Sequence, residues 1–352
     1  MKTLLKMAGM LVLLLTLGCG NNDDTTPPEM EITASIIGDW QRTSGSLIGV
    51  QWEYLLIKPD NTMNLFFQDD NGFRDENTGN YTATDNQVTV EIGFFGSVLL
   101  NYTLTDSTLE LLDSSGNVST YNRVTNAPSS DTWIQKLTII SQGDAPWDET
   151  ADIAFNGTQI LLGNGYAADN IGLINPETFA LDGVIITTQS AFAVEVEKFD
   201  VPDKYIFQSN NGSTQFKAYT ENTNTEAFTS LELGPWIYGL ASKEGLTVWA
   251  SSGNEETLYL LDYNNESAQI ITRTIPLDRR VDGMDYQNDL LYVCSQGNIY
   301  ICDVSSSFEV LETLTVEGYR AYGIAFDGTN FWINASSNNG DPNQLIKTSL
   351  TL

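Results

Sequence analysis

Five phrases in the C-terminal part of this chain align: DIAFNGTQILLG, AVEVEKFDVPDKYIFQ, GLASKEGLTVWAS, GMDYQNDLLYVCS and GIAFDGTNFWINA. They start at Asp152, Ala193, Gly239, Gly283 and Gly323, so the separations are 41, 46, 44 and 40 residues. A period of this length marks one supersecondary unit, which cannot bury its apolar face alone and must stack on its neighbours. Each phrase reads as a strand, a tight turn and a second strand. A third strand follows in NIGLIN, QFKAYT, TLYLLD, NIYICD and QLIKTS, and a fourth in LDGVIIT, AFTSLEL, QIITRTI and EVLETLT. Four strands per repeat of this length is one propeller blade.

The fifth repeat reaches Leu352 after only three strands, while TWIQKLTIIS, residues 132–141, reads as a strand with no blade of its own. Pairing the orphan with the last repeat closes the ring and removes the bare edges of an open array. The spacing therefore predicts a five-bladed β-propeller over residues 132–352, with 132–141 completing the last blade. In the hairpin LLYVCSQGNIYICDV, a turn at Gln296 and Gly297 sets Cys294 opposite Ile299 and Cys302 opposite Leu291. The two thiols are then not cross-strand partners and read as small buried apolar groups rather than a disulfide.

Ahead of the ring, no apolar periodicity holds at helical spacing past the first residues, so the whole chain reads as all-β. A break at TNAPSSD, residues 125–131, separates the ring from a first unit at 32–124. That unit offers eight short strands: GDWQRTSG, WEYLLIKPD, MNLFFQD, GNYTATD, QVTVEIG, SVLLNYTLTD, STLELLD and VSTYNRV. The Gly-x-Trp phrase at Gly38 and Trp40, followed by meander hairpins, resembles a lipocalin opening and the lipocalin-like domains of Bacteroidetes lipoproteins. The resemblance implies a small closed barrel with Trp40 at its base, its interior filled by side chains or holding an apolar ligand.

Residues 1–18 have the parts of a secretory signal: Lys2 and Lys6, then the apolar MLVLLLTL, then small residues. The LTLG directly before Cys19 resembles the lipobox of bacterial lipoproteins, which implies cleavage before Cys19 and acylation of its thiol. Several acyl chains, at about 0.8 kcal/mol per buried methylene, make a durable anchor. Residues 19–31, CGNNDDTTPPEME, are polar, acidic and proline-bearing and read as a flexible tether. Acid behind the cysteine resembles surface lipoproteins of the Bacteroidetes, so attachment to the bacterial outer membrane is expected, with the periplasmic and the cell-surface face both open.

The formal charge of −30, with 16 Lys and Arg against 46 Asp and Glu, excludes nucleic acid as a partner. With no histidine, triads, Cys-His pairs and typical catalytic zinc sites are closed in their usual form. No cofactor is expected, and a metal, if any, is a hard cation such as calcium. The acidic stretches FQDDNGFRDEN and SSNNGDPNQ lack calcium-loop spacing and read as solvated turns. At fold level the repeats resemble the five-bladed propellers of plant-type glutaminyl cyclases, which carry a glutamate in the second strand of the first blade. Here that strand reads ILLGNG, so the resemblance does not bring the activity with it.

Residues just ahead of each inner strand gather around one mouth of a propeller channel. Here they include Trp147, Asp148, Trp236, Tyr238, Arg279, Arg280, Asp282, Tyr319, Arg320 and Tyr322. The ligand-binding candidates are Trp147, Asp152, Trp236, Tyr238, Arg280, Asp282, Arg320 and Tyr322, since flat apolar faces beside orienting polar groups suit a glycan or peptide. Arg280 and Arg320 are expected beside Asp282 and Asp152, either as ion pairs or as ligand contacts. The leading expectation is an envelope-anchored, non-enzymatic binding or scaffolding lipoprotein whose propeller face meets a glycan, a peptide or a protein partner. Two alternatives stay open: a carbohydrate-active enzyme using paired carboxylates in the propeller, and an apolar-ligand carrier using the barrel.

Overall fold

The structure, a computed structural model, describes residues 35–352 except 48, 93–95, 149–150, 166–167, 198–203, 211, 222–224, 244–246, 264–269, 278 and 339–341. Cys19 and the tether lie outside the described residues. The first unit is a closed up-and-down barrel of eight strands: β1 (Gly38–Ser44), β2 (Trp52–Ile57), β3 (Thr62–Gln68), β4 (Arg74–Ala83), β5 (Gln87–Ile92), β6 (Gly96–Leu104), β7 (Thr108–Leu112) and β8 (Val118–Val124). Alternation drives it, as in β5, where Val88, Val90 and Ile92 are buried while Gln87 and Glu91 face water. Closure is by an antiparallel β1–β8 ladder in which Trp40 pairs with Arg123. The Trp40 indole is fully buried and donates to the Ile36 carbonyl at 2.9 Å. The Arg123 guanidinium lies 4.2 Å over that ring and donates to the carbonyls of Ser35 and Ile37, capping this end of the barrel. The interior void is only about 10 Å³, lined by residues such as Met63, Val90 and Leu100. That is room for one water at most. The barrel is filled by its own side chains, which leaves no space for an apolar ligand.

The second unit is a ring of five sheets, each built on antiparallel strands, the five-bladed propeller that the repeats predict. Blades one to four occupy residues 153–186, 193–229, 237–276 and 283–316, and blade five is built on 319–348. Its fourth strand comes from upstream: β10 (Ile139–Asp144) pairs antiparallel with Gln344–Thr348. The closing strand thus differs from the expected 132–141. The segment divides into a single helical turn, α1 (Ser130–Trp133), then β9 (Gln135–Leu137), then β10. Trp133 is what breaks the strand, because it has a pocket of its own on the barrel. Its ring lies 5.5 Å from Phe66 and 6.0 Å from Tyr54, and its indole donates to the Asp75 carbonyl at 3.0 Å. β9 then adds in parallel to the outer strand of blade four, Glu309–Val316. In the cysteine hairpin, Leu291 faces Cys302 and Cys294 faces Ile299 across a turn at Gln296 (φ 52°) and Gly297 (φ 93°); both thiols are buried and free.

The stretch FQDDNGFRDEN, read as a solvated turn, is instead where the barrel docks on the propeller. Phe73 is fully buried against Tyr300 (4.7 Å, edge-on) and Phe308 (5.5 Å, stacked) of blade four. Arg279 lies 4.4 Å over the Phe73 ring and bridges the hairpin, with Nη2 3.0 Å from Asp69 and 2.9 Å from Asp75. Asn71 donates to the Leu277 carbonyl at 2.8 Å, and the Tyr300 hydroxyl donates to the Arg74 carbonyl at 3.2 Å. Arg279, expected at the channel mouth, is therefore a bolt between the two units. The loop's carboxylates Asp69 and Asp75 pair with the Arg279 guanidinium.

Candidate functional site: channel axis, channel mouth and interdomain cleft

Five sheets without a shared ladder need something else to hold their inner strands together, and here it is buried carboxylate. Asp152, completely buried at the start of blade one, accepts backbone N–H groups from Ile153 (2.9 Å), Leu240 (3.3 Å), Met284 (3.3 Å) and Ile324 (3.4 Å). One side chain thereby ties blades one, three, four and five. Glu195 in blade two accepts from Val196 and, in blade three, Ser242; Asp285 in blade four accepts from Phe326 in blade five. Glycines make this convergence possible: a Cβ on Gly283 would lie 2.4 Å from the Tyr322 carbonyl oxygen and 2.5 Å from an Asp152 carboxylate oxygen. Burial drives the Asp152 carboxyl well above its ordinary range, the backbone N–H groups pull it down, and nearby Glu195 pushes it up. Asp152 is thus placed on the axis, beyond reach of a ligand at the mouth, and its partners are backbone amides rather than Arg280 or Arg320.

At the mouth, the structure brings Trp236, Tyr238, Arg280 and Asp282 together. Tyr238 is buried 4.8 Å from Phe192, the Arg280 guanidinium sits 5.0 Å over its ring, and Trp236 stands edge-on at 5.9 Å. Arg280 Nε donates to Asp282 at 2.6 Å, yet its side chain remains 51% exposed while that of Asp282 is 6% exposed. Burial lifts the Asp282 carboxyl to about 6 against the lowering effect of Arg280 and, more weakly, of Arg320 and the Gln296 amide. Trp236 is 44% exposed and held at φ 70°, a left-handed conformation that costs a bulky residue about 1–3 kcal/mol. Arg320 is exposed, lies across Gly297, and makes no ion pair among the described residues. Tyr322 is half-buried with its hydroxyl 3.5 Å from Ser336. Trp147 is turned away to pack over Gly172 of blade one, and Asp148 accepts the Asn343 amide.

A larger recess lies between the two units, and nothing in the local sequence pattern announces it. This cleft of about 1240 Å³ is walled by β3, β4 and their connecting loop on the barrel and floored by the turn at Gln296–Asn298, β9 and the start of blade five, where Tyr319 and Arg320 sit. Among the described residues, no group of three or more Asp, Glu or Cys side chains converges as a metal site.

No protein-family model matches the chain, and no curated protein is detectably similar in sequence. Among solved structures, the crystal structure of Myxococcus xanthus glutaminyl cyclase is similar at 10% identity and a TM-score of 0.47, covering 61% of this chain and 97% of that one. A crystal structure of the mitotic checkpoint complex is similar over 97% of this chain and 99% of that one, at 8% identity and a TM-score of 0.39. At these scores neither likeness adds to the strand topology already described. The chain is a closed eight-stranded barrel bolted to a five-bladed β-propeller.

Proposed function

We propose that this protein is a non-enzymatic binding or scaffolding module of the bacterial cell envelope, held to the outer membrane by a lipid on Cys19, with the propeller mouth as its recognition face. The observation that carries the reading is Trp236. A large aromatic ring stays 44% exposed in left-handed backbone, beside a half-exposed guanidinium stacked on Tyr238. Strained backbone that leaves an indole largely in water is a cost to folding, and it fits a contact surface for a sugar ring, a peptide or a protein side chain. Asp152 and Asp285 are engaged by backbone amides, so the axis acids support structure rather than a catalytic carboxylate pair.

The test is a glycan-array and envelope pull-down comparison of the wild type with Trp236→Ala and Arg280→Gln. Loss of the captured ligand in both variants, with the melting temperature of Trp236→Ala unchanged or raised, is expected. Retention of every interaction in both overturns the mouth as the recognition face. The anchor is checked separately: Cys19→Ser should move the protein out of the membrane fraction.

A further inference from the structure

We propose that the cleft between barrel and propeller is a second binding site, distinct from the channel mouth, that takes a neutral oligosaccharide between β3–β4 of the barrel and blades four and five. Its volume of about 1240 Å³ exceeds the roughly 300–1,000 Å³ of a small-molecule pocket and suits an extended ligand. Its walls are held in fixed relation by the Phe73 and Arg279 contacts and by the linker that seats Trp133 on the barrel and then pairs β9 with blade four, so a ligand does not have to order them.

Charge selects the ligand class. The lining holds Asp69, Asp70, Asp75, Glu76 and Glu317 against Lys136, Arg279 and Arg320. Most are already matched. Asp69 and Asp75 face Arg279, Glu317 lies 3.5 Å from Lys136, and Glu76 accepts from Asn64 and, at 2.6 Å, from the Ser130 hydroxyl. What remains toward the opening is one exposed carboxylate, Asp70, one exposed guanidinium, Arg320, and the side-chain amides of Asn77, Gln296 and Asn338. An anion is repelled by a chain of formal charge −30, and a polycation finds a single uncommitted acid. Neighbouring donors and acceptors of both kinds match vicinal hydroxyls, each of which donates and accepts. Two half-buried rings supply flat faces: Phe67, held edge-on by Trp52 at 6.3 Å, and Tyr319, whose hydroxyl donates to Gln142 at 3.3 Å. Trp236, Tyr238 and Arg280 do not line this recess, so the inference stands independently of the mouth.

The experiment titrates the mature full-length protein against an array of neutral gluco-, manno- and xylo-oligosaccharides, with polygalacturonate and a peptide library as the other arms, and follows the hits by calorimetry. A neutral oligosaccharide should bind. Tyr319→Ala should weaken it about tenfold, the loss of one stacking face, and Asn77→Ala should weaken it by removing one hydrogen-bonding amide from the cleft wall. Trp236→Ala should leave it unchanged. Melting curves of the variants separate lost binding from lost folding, and Arg320→Gln, on the exposed rim, gives a further cleft variant if Tyr319→Ala or Asn77→Ala fails to fold. The proposal is overturned if no neutral oligosaccharide binds, if polygalacturonate or peptide binds instead, if binding survives the cleft variants, or if it is lost only in Trp236→Ala.

Discussion

The barrel closes through one continuous ladder, β1 to β8, around an interior of aliphatic and aromatic side chains with about 10 Å³ to spare. The propeller's five separate sheets meet at an axis where Asp152, Glu195 and Asp285 are buried and answered by backbone N–H groups of other blades. The contrast follows from where the backbone hydrogen bonds go. In a barrel every strand satisfies its neighbours, so the inside can be purely apolar. In a propeller each inner strand has a free edge at the axis, and its amides need acceptors from elsewhere. The barrel centre is closed to ligands because it is packed, the propeller centre because it is hydrogen-bonded. Of the recesses described, the mouth and the cleft where the units meet lie outside both centres, which is where the two proposals place binding.

The hardest way to strain this comparison is Asp152→Ala. It leaves the amides of Ile153, Leu240, Met284 and Ile324 without an acceptor, and at about 1–3 kcal/mol per orphaned buried donor the loss should reach at least about 4 kcal/mol. Hydrogen exchange should show the propeller's inner strands opening while β1–β8 keep their protection. Equal loss in both units would mean that the axis is not a separate source of stability.

Phe73→Ala comes next. Removing a fully buried aromatic ring costs about 3–5 kcal/mol, and here it empties the seat between the units. Calorimetry should turn one unfolding transition into two. A single transition at the original temperature would show that the barrel and propeller are coupled by something other than this hairpin.

The smallest expected effect is a slope with pH. Asp282 has a folded value of about 6 against an ordinary 3.8, so between those values the folded chain keeps a proton that the unfolded chain has released. Stability is therefore greatest toward pH 4 and falls as pH rises to about 6, the reverse of an ordinary paired carboxylate. Asp152 and Glu197, both raised chiefly by burial, act in the same sense. Asp327 opposes them at the acid end. Partial burial works against its ionisation, but bonds from Asn330, Lys347 and Trp332 hold it below its ordinary value, so its contribution disappears only in stronger acid. Melting temperature should rise from pH 7.5 to pH 5, less steeply in Asp282→Asn. Parallel profiles would remove Asp282 as a source of the slope.

The ring was legible because each repeat is local: an inner strand, a turn and its partner lie within a dozen residues, and the Cys294 and Cys302 register followed from one turn. The bolt between the units was not, because Asp69 and Arg279 are 210 residues apart and no periodicity reports such a pair. One signal was present. Phe73 is a lone aromatic among acids and amides in a hairpin tip, an ill fit for a solvated turn. Arg279, Arg280 and Arg320 looked alike from their places ahead of inner strands, yet one is buried, one half-paired and one exposed, since side-chain direction at a loop is set by what the neighbouring unit presents. The cleft combines β3–β4 with residues beyond 290, and only the docking creates it.

The strand that completes blade five, β10, precedes nearly everything it closes: Asp144 and its partner Gln344 are 200 residues apart, joined through the Gln344 side chain at 2.7 Å. On a growing chain, β10 must wait, unpaired, until its partner strand about 200 residues later has been made. Contacts of such sequence separation form late and slow folding. The ring therefore cannot close before the strand Gln344–Thr348 has been made. A polypeptide interrupted before Gln344 keeps an open edge, and this geometry makes closure itself a report that synthesis has run through the last blade.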